Sequence, residues 1–288
     1  MSRCFAFAIA ALFAAPAAGS PEDAGLLPIT PPVLTKSSAR EDVAIADAWR
    51  SRDFAAVIEL ASRRLAAVPS DGLARMLRGA AYYNSHDYPA AIADETVVVE
   101  GAPRAVMAFE VRGGAYVQRG DYGRAIIDEN QAISLRPTAA SYGYRADAKD
   151  RSGDQRGAIA DLTAAIAMSR GDEWALALRG AIENYLYDNQ NALVDENAAL
   201  ELNPKDGFAL STRAAVEYNL HDYQGAIRDD RSAIAAGFAD FETESTLGDG
   251  LYQIGRYAQA RQAYDASLKI KADLAVMIKR ELARLRSQ

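Results

Sequence analysis

Small and large apolar residues recur along the chain as adjacent pairs. In the stretch RGGAYVQRGDYGRAIIDENQAISLRP, Ala125 and Ile126 are followed seven residues later by Ala132 and Ile133. Seven residues make two turns of an α-helix, so the two pairs share one buried face. The stretch therefore predicts two short amphipathic helices, which are separated by a turn at residues 120–122.

The turn recurs at an almost constant interval on both sides of this stretch. Each copy has an aspartate, or once an arginine, before an aromatic residue or its substitute, and the copies are 34, 34, 33, 34, 34 and 34 residues apart. The seven turns are Asp53-Phe54, Asp87-Tyr88, Asp121-Tyr122, Asp154-Gln155, Asp188-Asn189, Asp222-Tyr223 and Arg256-Tyr257. Small residues recur in the first helix of a copy at Gly79, Gly113, Ala146, Gly180, Ala214 and Gly248. This regularity indicates seven copies of one supersecondary unit.

The recurring residues resemble the tetratricopeptide repeat (TPR), a helix–turn–helix of 34 residues. The match extends over about residues 38 to 274 and is weakest in the first copy, where Val57 and Arg64 stand at the usual alanine positions. The resemblance implies an all-α fold, an α-solenoid of seven helix–turn–helix repeats wound into a right-handed superhelix. It places the first helix of each repeat on the concave face and the second helix outside. The expected repeats are residues 38–71, 72–105, 106–138, 139–172, 173–206, 207–240 and 241–274.

Residues 275–288 are expected to form a C-terminal capping helix. Leu274, Ile278, Leu282 and Leu285 fall on one stripe, and basic residues occupy the other side. An open-ended array needs a polar outer surface at its end. We therefore expect a solvating cap over the seventh repeat.

The N-terminus has the layout of a secretory signal peptide. Arg3 gives a basic start, an apolar run follows, and Ala15-Pro16-Ala17 is a small-residue site. Residues 1–19 are the expected signal, and export to the periplasm of a bacterium, or secretion, follows from it. An uncleaved anchor is the alternative, but the run is shorter than the roughly 18 residues of a membrane span.

Cleavage would remove Arg3 and Cys4, the only cysteine. The mature chain would have 31 basic and 39 acidic residues, a net charge of −8, and no thiol. A thiol-free chain suits an oxidising compartment. We expect no membrane insertion of the mature chain.

Residues 20–37, SPEDAGLLPITPPVLTKS, contain four prolines, which disfavour helix and central strand. The segment predicts an extended linker with polyproline II character. A docking arm, or a plug for the protein's own groove, is the alternative.

The composition argues against several functions. A net charge of −7 gives no electrostatic basis for nucleic-acid binding. One cysteine and two histidines cannot build a Cys/His zinc site or supply a nucleophile with its base. We therefore expect no enzyme, metal or cofactor. His86 and His221 precede the turn where other repeats have glycine, so a left-handed loop position is expected for both.

Acidic pairs such as Asp94-Glu95 and Asp128-Glu129 lie in the second helices. Two adjacent carboxylates on an outer helix are typical of a surface that faces water. We therefore interpret these pairs as solvated faces and not as metal ligands.

Each central repeat has an arginine and, sixteen residues later, an aspartate. The pairs are Arg78/Asp94, Arg112/Asp128, Arg145/Asp161, Arg179/Asp195 and Arg213/Asp229. The first and seventh repeats have the apolar residues Ala44/Leu60 and Leu247/Ala263 at these places. Charges that are lost together predict structural ion pairs across the two helices of one repeat. A charged binding stripe, and pairing with the next repeat's arginine, are the alternatives.

A second ladder lies near the end of each first helix. Its pairs are Tyr83-Asn84, Val117-Gln118, Asp150-Arg151, Asn184-Tyr185, Tyr218-Asn219 and Tyr252-Gln253. Amides can bond an extended peptide backbone, and tyrosines offer apolar area with a polar tip. Apart from Val117, Asp150 and Arg151, these residues are the predicted peptide-binding groove. Packing of the tyrosines between repeats is the alternative.

The sequence thus predicts a non-enzymatic scaffold or adaptor that binds a protein or peptide of unknown identity in its concave groove. A structural or oligomerising accessory subunit, which uses its outer helices or N-terminal arm, is the second hypothesis.

Overall fold

The computed structural model describes the backbone of residues 36–288 and the side chains from residue 41 onward. The expected signal peptide and residues 20–35 of the expected linker lie outside the described residues. The chain divides into two compact bodies. We call them the N-terminal body, which ends at Asp154, and the C-terminal body, which begins at Gln155.

Fifteen helices and no strand occur over residues 36–288. The N-terminal body has α1 (Lys36–Arg50), α2 (Phe54–Ala67), α3 (Gly72–Asn84), α4 (Tyr88–Gly101), α5 (Val106–Gln118), α6 (Tyr122–Leu135) and α7 (Ala139–Ser152). The C-terminal body has α8 (Gln155–Met168), α9 (Glu173–Tyr185), α10 (Asn189–Leu202), α11 (Gly207–Asn219), α12 (Tyr223–Ala235), α13 (Phe241–Gln253), α14 (Tyr257–Ile270) and α15 (Leu274–Arg286). The prediction of an all-α solenoid is confirmed.

Within each body, consecutive helices pack against one another. The first helices also contact each other, because α3 contacts α5, α5 contacts α7, α9 contacts α11, and α11 contacts α13. The first helices therefore form a common layer in each body, and residues near their ends can lie side by side.

The turns between paired helices share one backbone conformation. At each of the seven recurring turns, the residue before the aspartate or arginine has a left-handed backbone, with φ between 59° and 93°. These residues are Arg52, His86, Gly120, Gly153, Tyr187, His221 and Gly255. The next residue is usually an aspartate whose side chain accepts a backbone N–H of the following helix, as Asp222 does from Gly225 at 2.9 Å. The left-handed position predicted for His86 and His221 is confirmed.

The last helix, α15, packs on α14 in an orientation that differs from the expected cap. Its buried residues are Val276 and Ala283, whereas Leu274 is 73 % exposed. The other stripe residues, Ile278, Leu282 and Leu285, are exposed as well. A solvating cap would bury this apolar stripe, so that expectation is wrong for its orientation.

Ion pairs explain why the basic side of α15 faces the repeat. Lys279 Nζ donates to Asp249 Oδ2 at 2.7 Å, and Arg280 lies 3.4 Å from Asp265. These carboxylates on α13 and α14 attract the basic residues. None of the helices over residues 36–288 has the length and apolarity that a membrane span requires.

Candidate functional site

Four of the five predicted arginine–aspartate pairs lie within a single body, and all four are in contact. Arg112 Nε and Nη2 each donate to one carboxylate oxygen of Asp128 at 2.8 Å. The other bidentate pairs are Arg78–Asp94, Arg179–Asp195 and Arg213–Asp229. The aspartates are buried, so these contacts compensate charges that would otherwise be costly to desolvate. Arg145 and Asp161 belong to different bodies and stay a prediction.

The arginines also bond to the preceding repeat, which the sequence interpretation missed. Arg112 Nη1 donates to Thr96 Oγ1 at 3.2 Å, and Arg179 Nη1 donates to Thr163 Oγ1 at 3.0 Å. The same contact joins Arg78 to Ser62, Arg145 to Asn130, and Arg213 to Asn197. A short polar residue every 33 or 34 positions was the available signal. Arg78, Arg112, Arg179 and Arg213 therefore each brace their own repeat and the one before it.

The second acidic residue of each pair is buried, contrary to the solvated face predicted from the sequence. Glu95, Glu129, Glu196 and Asp230 are fully buried, and their carboxyl oxygens have no hydrogen-bond partner among the described residues. The three repeats with Gly79, Gly113 and Gly180 show the space that the glutamate side chains fill. A Cβ on Gly79 would lie 2.3 Å from Glu95 Oε1, and one on Gly113 would lie 2.6 Å from Glu129 Oε1. Glycine suits this position because the end of the glutamate side chain occupies the space beside the first helix.

Burial sets the protonation of these groups. It raises the pKa of Glu196 to about 10 and that of Asp230 to about 9, and repulsion from Asp195 and Asp229 adds to the increase. Burial is also the main cause that raises the pKa values of Glu95 and Glu129. Glu196 and Asp230 are therefore protonated at neutral pH, so these two are neutral residues of the core.

In the N-terminal body, the predicted groove residues largely contact the protein itself. A Cβ on Gly114 would lie 3.2 Å from the Tyr83 ring, so Tyr83 packs closely on α5. Asn84 Nδ2 donates to the carbonyl of Ala80 in its own helix at 2.8 Å. Val117 is only 5 % exposed, which leaves Gln118 as the partly exposed member of its pair.

In the C-terminal body, two separate hydrogen bonds link ladder residues of three successive repeats. Asn219 Nδ2 donates to Asn184 Oδ1 at 2.9 Å. Gln253 Nε2 lies 3.4 Å from the Tyr218 hydroxyl. We call the surface formed by Asn184, Tyr185, Tyr218, Asn219, Tyr252 and Gln253 the ladder face.

Two ladder tyrosines pack on the tyrosine that begins the next helix. The rings of Tyr218 and Tyr223 are 5.4 Å apart, and those of Tyr252 and Tyr257 are 5.2 Å apart. One side of the Tyr218 ring and one side of the Tyr252 ring are therefore used for packing within the protein, which was the alternative to peptide binding. Tyr185 differs, because its side chain is 70 % exposed and makes no hydrogen bond or ring contact with the described residues.

Two carboxyls lie beside the ladder residues in sequence. Burial, followed by repulsion from Asp195, raises the pKa of Glu183 to about 7. Burial, followed by repulsion from Asp229, raises the pKa of Glu217 to about 7. The charge next to the ladder face therefore changes near neutral pH. No group of three or more histidine, cysteine, aspartate or glutamate residues in the described part is arranged to hold a metal.

Comparison with known proteins agrees with this architecture. The family model of the ETO1 C-terminal domain matches residues 53–218. No curated protein sequence matches the chain.

Three solved structures share the fold. One is the crystal structure of the APC/C hetero-tetramer Cut9–Hcn1, with a TM-score of 0.75 and 16 % identity; the match covers 83 % of this chain and 48 % of that one. This chain thus spans about half the length of that relative. The second is a tetratricopeptide repeat protein from Parabacteroides merdae, with a TM-score of 0.63, 14 % identity, and 88 % and 100 % coverage. The third is Pseudomonas aeruginosa pilF, with a TM-score of 0.55, 18 % identity, and 65 % and 90 % coverage.

The matched family covers more than half of the 288 residues. The paired helices, their close contact at glycine, and the structural neighbours give the same assignment. The chain belongs to the tetratricopeptide repeat proteins, in the family of the ETO1 C-terminal domain.

Proposed function

We propose that this protein is a non-enzymatic adaptor that binds an extended polypeptide along the ladder face of its C-terminal body. The bond between Asn219 and Asn184 is the observation that carries the proposal. It uses one donor and one acceptor of the two amides, which leaves Asn219 Oδ1 and the Asn184 amide hydrogens able to bond a peptide backbone. Such a pair spans two repeats and matches the alternating donors and acceptors of an extended chain.

The exposed ring of Tyr185 supports the same proposal. Its side chain is 70 % exposed and lies beside amides that still have unused hydrogen-bonding groups. Such an aromatic residue is typical of an interface anchor, because tyrosine loses little conformational entropy on binding. The signal-like N-terminus supports export, and we propose that the adaptor works in the periplasm or outside the cell.

A pull-down from the native envelope tests this function. Tyr185→Ala/Tyr218→Ala should keep its helical content and lose at least one specific partner. Val194→Ala is the matched control, because Val194 is equally exposed but lies on a second helix. Unchanged capture by the double variant would contradict binding on the ladder face.

A structural or oligomerising subunit remains our second proposal. Val97, Ile127 and Val194 are exposed apolar residues on second helices, which could contact another subunit. Deleting residues 20–37, or replacing these three residues by serine, should then lower the mass measured in solution. An unchanged mass in both variants would exclude this alternative.

A further inference from the structure

Two exposed tyrosines lie next to the turn of the fifth repeat. Tyr187 is 82 % exposed and has a φ of +62°, at the left-handed position that the first repeat gives to Arg52 and the others to histidine or glycine. Tyr185 is 70 % exposed. Neither side chain has a hydrogen bond or a ring contact with the described residues. Their aromatic faces are therefore open to a binding partner.

The turn of the sixth repeat adjoins that of the fifth. Asn219 Nδ2 lies 2.9 Å from Asn184 Oδ1 and 3.4 Å from Asn189 Oδ1. Exposed leucines accompany the tyrosines in both turns. We call this surface of the C-terminal body the tyrosine patch, and it consists of Tyr185, Leu186, Tyr187, Tyr218, Leu220 and Tyr223.

Four carboxyl groups flank the tyrosine patch in sequence. They belong to Glu183, Asp188, Glu217 and Asp222. A Cβ on Gly225 would lie 2.6 Å from Glu217 Oε2 and 2.6 Å from Asp222 Oδ2, so these two carboxyls converge on one place. Residues 183–189 and 217–223 contain no lysine or arginine, whereas the matching residues 48–54 of the first repeat include two arginines. The turns of the fifth and sixth repeats are therefore acidic.

Nearby basic residues do not cancel this charge. Arg179 and Arg213 are bonded to the buried aspartates of their own repeats. Arg228 lies on a second helix, and it has the smallest of the influences on the pKa of Glu217. The tyrosine patch thus combines aromatic faces with an excess of negative charge.

The seventh repeat shows what such a tyrosine pair can hold. The Arg286 guanidinium lies 5.8 Å from the ring centroid of Tyr252 and 5.8 Å from that of Tyr257. The rings of Tyr218 and Tyr223 have nearly the same separation as that pair, at 5.4 Å against 5.2 Å. No arginine or lysine of the described part of the chain lies over Tyr218 or Tyr223. The sixth repeat therefore offers to a partner the kind of site that the protein's own arginine occupies in the seventh.

We propose that the tyrosine patch binds a partner segment in which arginine or lysine alternates with apolar residues. The charged groups would lie over the tyrosine faces, where cations are attracted. Their aliphatic stems would cover Leu186 and Leu220, while their charged ends reach the carboxylates. Opposite charges also favour this partner over an acidic one. The inference rests on the proposed function, since the tyrosine patch shares Tyr185 and Tyr218 with the ladder face, and it names the class of partner.

Fluorescence anisotropy with defined peptides tests the proposal. The probe is a labelled peptide with two arginine–leucine pairs in a glycine–serine background, and glutamine or glutamate replaces the arginines in the comparison peptides. At pH 8, above the pKa of about 7 to which burial raises Glu183 and Glu217, the arginine peptide should bind at least about fivefold tighter than the glutamine peptide. The glutamate peptide should bind most weakly. Equal affinities for the arginine and glutamine peptides, or no binding of the arginine peptide, would overturn the proposal.

A matched pair of variants separates this surface from general attraction to an acidic protein. Asp188→Asn/Asp222→Asn removes two carboxylates but keeps both helix caps, because asparagine caps a helix as well as aspartate does. It should weaken binding of the arginine peptide at least about threefold and leave the glutamine peptide unaffected. Asp53→Asn/Asp87→Asn changes the net charge equally at matching caps of the N-terminal body, and it should leave both affinities unchanged. Equal losses from the two double variants would overturn the proposal.

Tyr187→Gly tests the aromatic part of the tyrosine patch. It should weaken binding of the arginine peptide at least about twofold without lowering the thermal midpoint, because glycine suits the left-handed position. Unchanged affinity in this variant would show that Tyr187 takes no part, and would contradict the proposed surface.

The outcome is distinguishable from failure of the proposed function. Suppose Tyr185→Ala/Tyr218→Ala loses its envelope partners, but the arginine peptide binds no better than the glutamine peptide. The basic class of partner is then excluded, while the adaptor stands. The adaptor itself falls if Tyr185→Ala/Tyr218→Ala captures every partner.

Discussion

Gly113 and Gly248 occupy the same place in the third and seventh repeats, but different groups cover them. In the third repeat the Glu129 carboxyl fills the space, without a hydrogen-bond partner among the described residues. In the seventh, the Tyr264 ring fills it, and its hydroxyl donates to Asp249 at 2.8 Å. Asp249 in turn accepts from Lys279 of α15. The place thus admits either a buried carboxyl group or an aromatic ring.

The residues next to Gly113 and Gly248 also differ in charge. Arg112 and Asp128 brace the third repeat, whereas the seventh has Leu247 and Ala263 at the same positions. The comparison indicates that the third repeat uses a compensated ion pair and a buried carboxyl where the seventh uses two apolar residues and a tyrosine.

The largest effect is expected from removing one member of an ion pair. Arg112→Leu should destabilise the protein by about 3–5 kcal/mol, because it leaves the buried carboxylate of Asp128 without a partner. Adding Asp128→Ala converts the place to the residue types of the seventh repeat and should recover most of the loss. Urea unfolding of both variants measures this, and losses that simply add would show that the two residues are not coupled.

The next effect depends on pH. Burial raises the pKa of Glu196 to about 10, from 4.5 for an exposed carboxyl. Between these values the folded protein holds a proton that the unfolded chain releases. The free energy of unfolding should therefore fall as the pH rises, by up to about 1.4 kcal/mol per pH unit for this group, until the folded carboxyl ionises.

Glu196→Gln should remove this contribution. The variant should match the wild type near pH 5 and be more stable at pH 8, by at most about 4 kcal/mol. Glu201→Gln on the same helix is the control, because Glu201 is exposed. Denaturation curves at pH 5, 6.5 and 8 provide the measurement. A constant difference between Glu196→Gln and wild type would mean that the buried acid does not titrate as described.

A smaller effect should distinguish the two glycines. A Cβ on Gly248 would lie 2.5 Å from a Tyr264 ring carbon, and one on Gly113 would lie 2.6 Å from the end of the Glu129 side chain. A carboxyl group can rotate away more easily than a packed ring. Gly248→Ala should cost about 1–3 kcal/mol. Gly113→Ala should cost less, since alanine also gains up to about 1 kcal/mol of helix propensity. Equal thermal shifts for the two variants would contradict the difference in packing.

The smallest effect concerns the hydroxyl of Tyr264. Tyr264→Phe removes its bond to Asp249 but leaves the ion pair with Lys279, so the loss should be about 1 kcal/mol. Calorimetry of the variant measures it. Hydrogen exchange of α15 should increase at the same time, and unchanged exchange would show that the hydroxyl does not support the docking of this helix.

Local features of the fold could be predicted from the sequence. The seven turns, the left-handed histidines and the arginine–aspartate pairs follow from short-range patterns that repeat every 33 or 34 residues. Repetition helps because the copies can be compared with one another. Two positions that change from charged to apolar in the same copies are predicted to be in contact.

The sequence interpretation missed features that depend on contacts between helices. Glu129 follows an aspartate and therefore resembles a solvated residue, but its place opposite Gly113 buries it. The glycine sixteen residues earlier was the available signal. The amphipathic pattern of α15 fits either orientation. In the structure Val276 and Ala283 join the core, and Lys279 on the same side pairs with Asp249. Val117, which was not among the predicted groove residues, lies in a buried cluster with Tyr116 and Ala148.

The central claim is that the charged ladder braces the fold while the ladder face binds a partner. One pull-down experiment from the native envelope tests both parts, with wild type, Arg112→Leu/Asp128→Ala and Tyr185→Ala/Tyr218→Ala compared side by side. We expect the first variant to capture the same proteins as the wild type and the second to lose its partner while staying folded. Loss of the partner with the charge variant, and full capture with the tyrosine variant, would contradict the account.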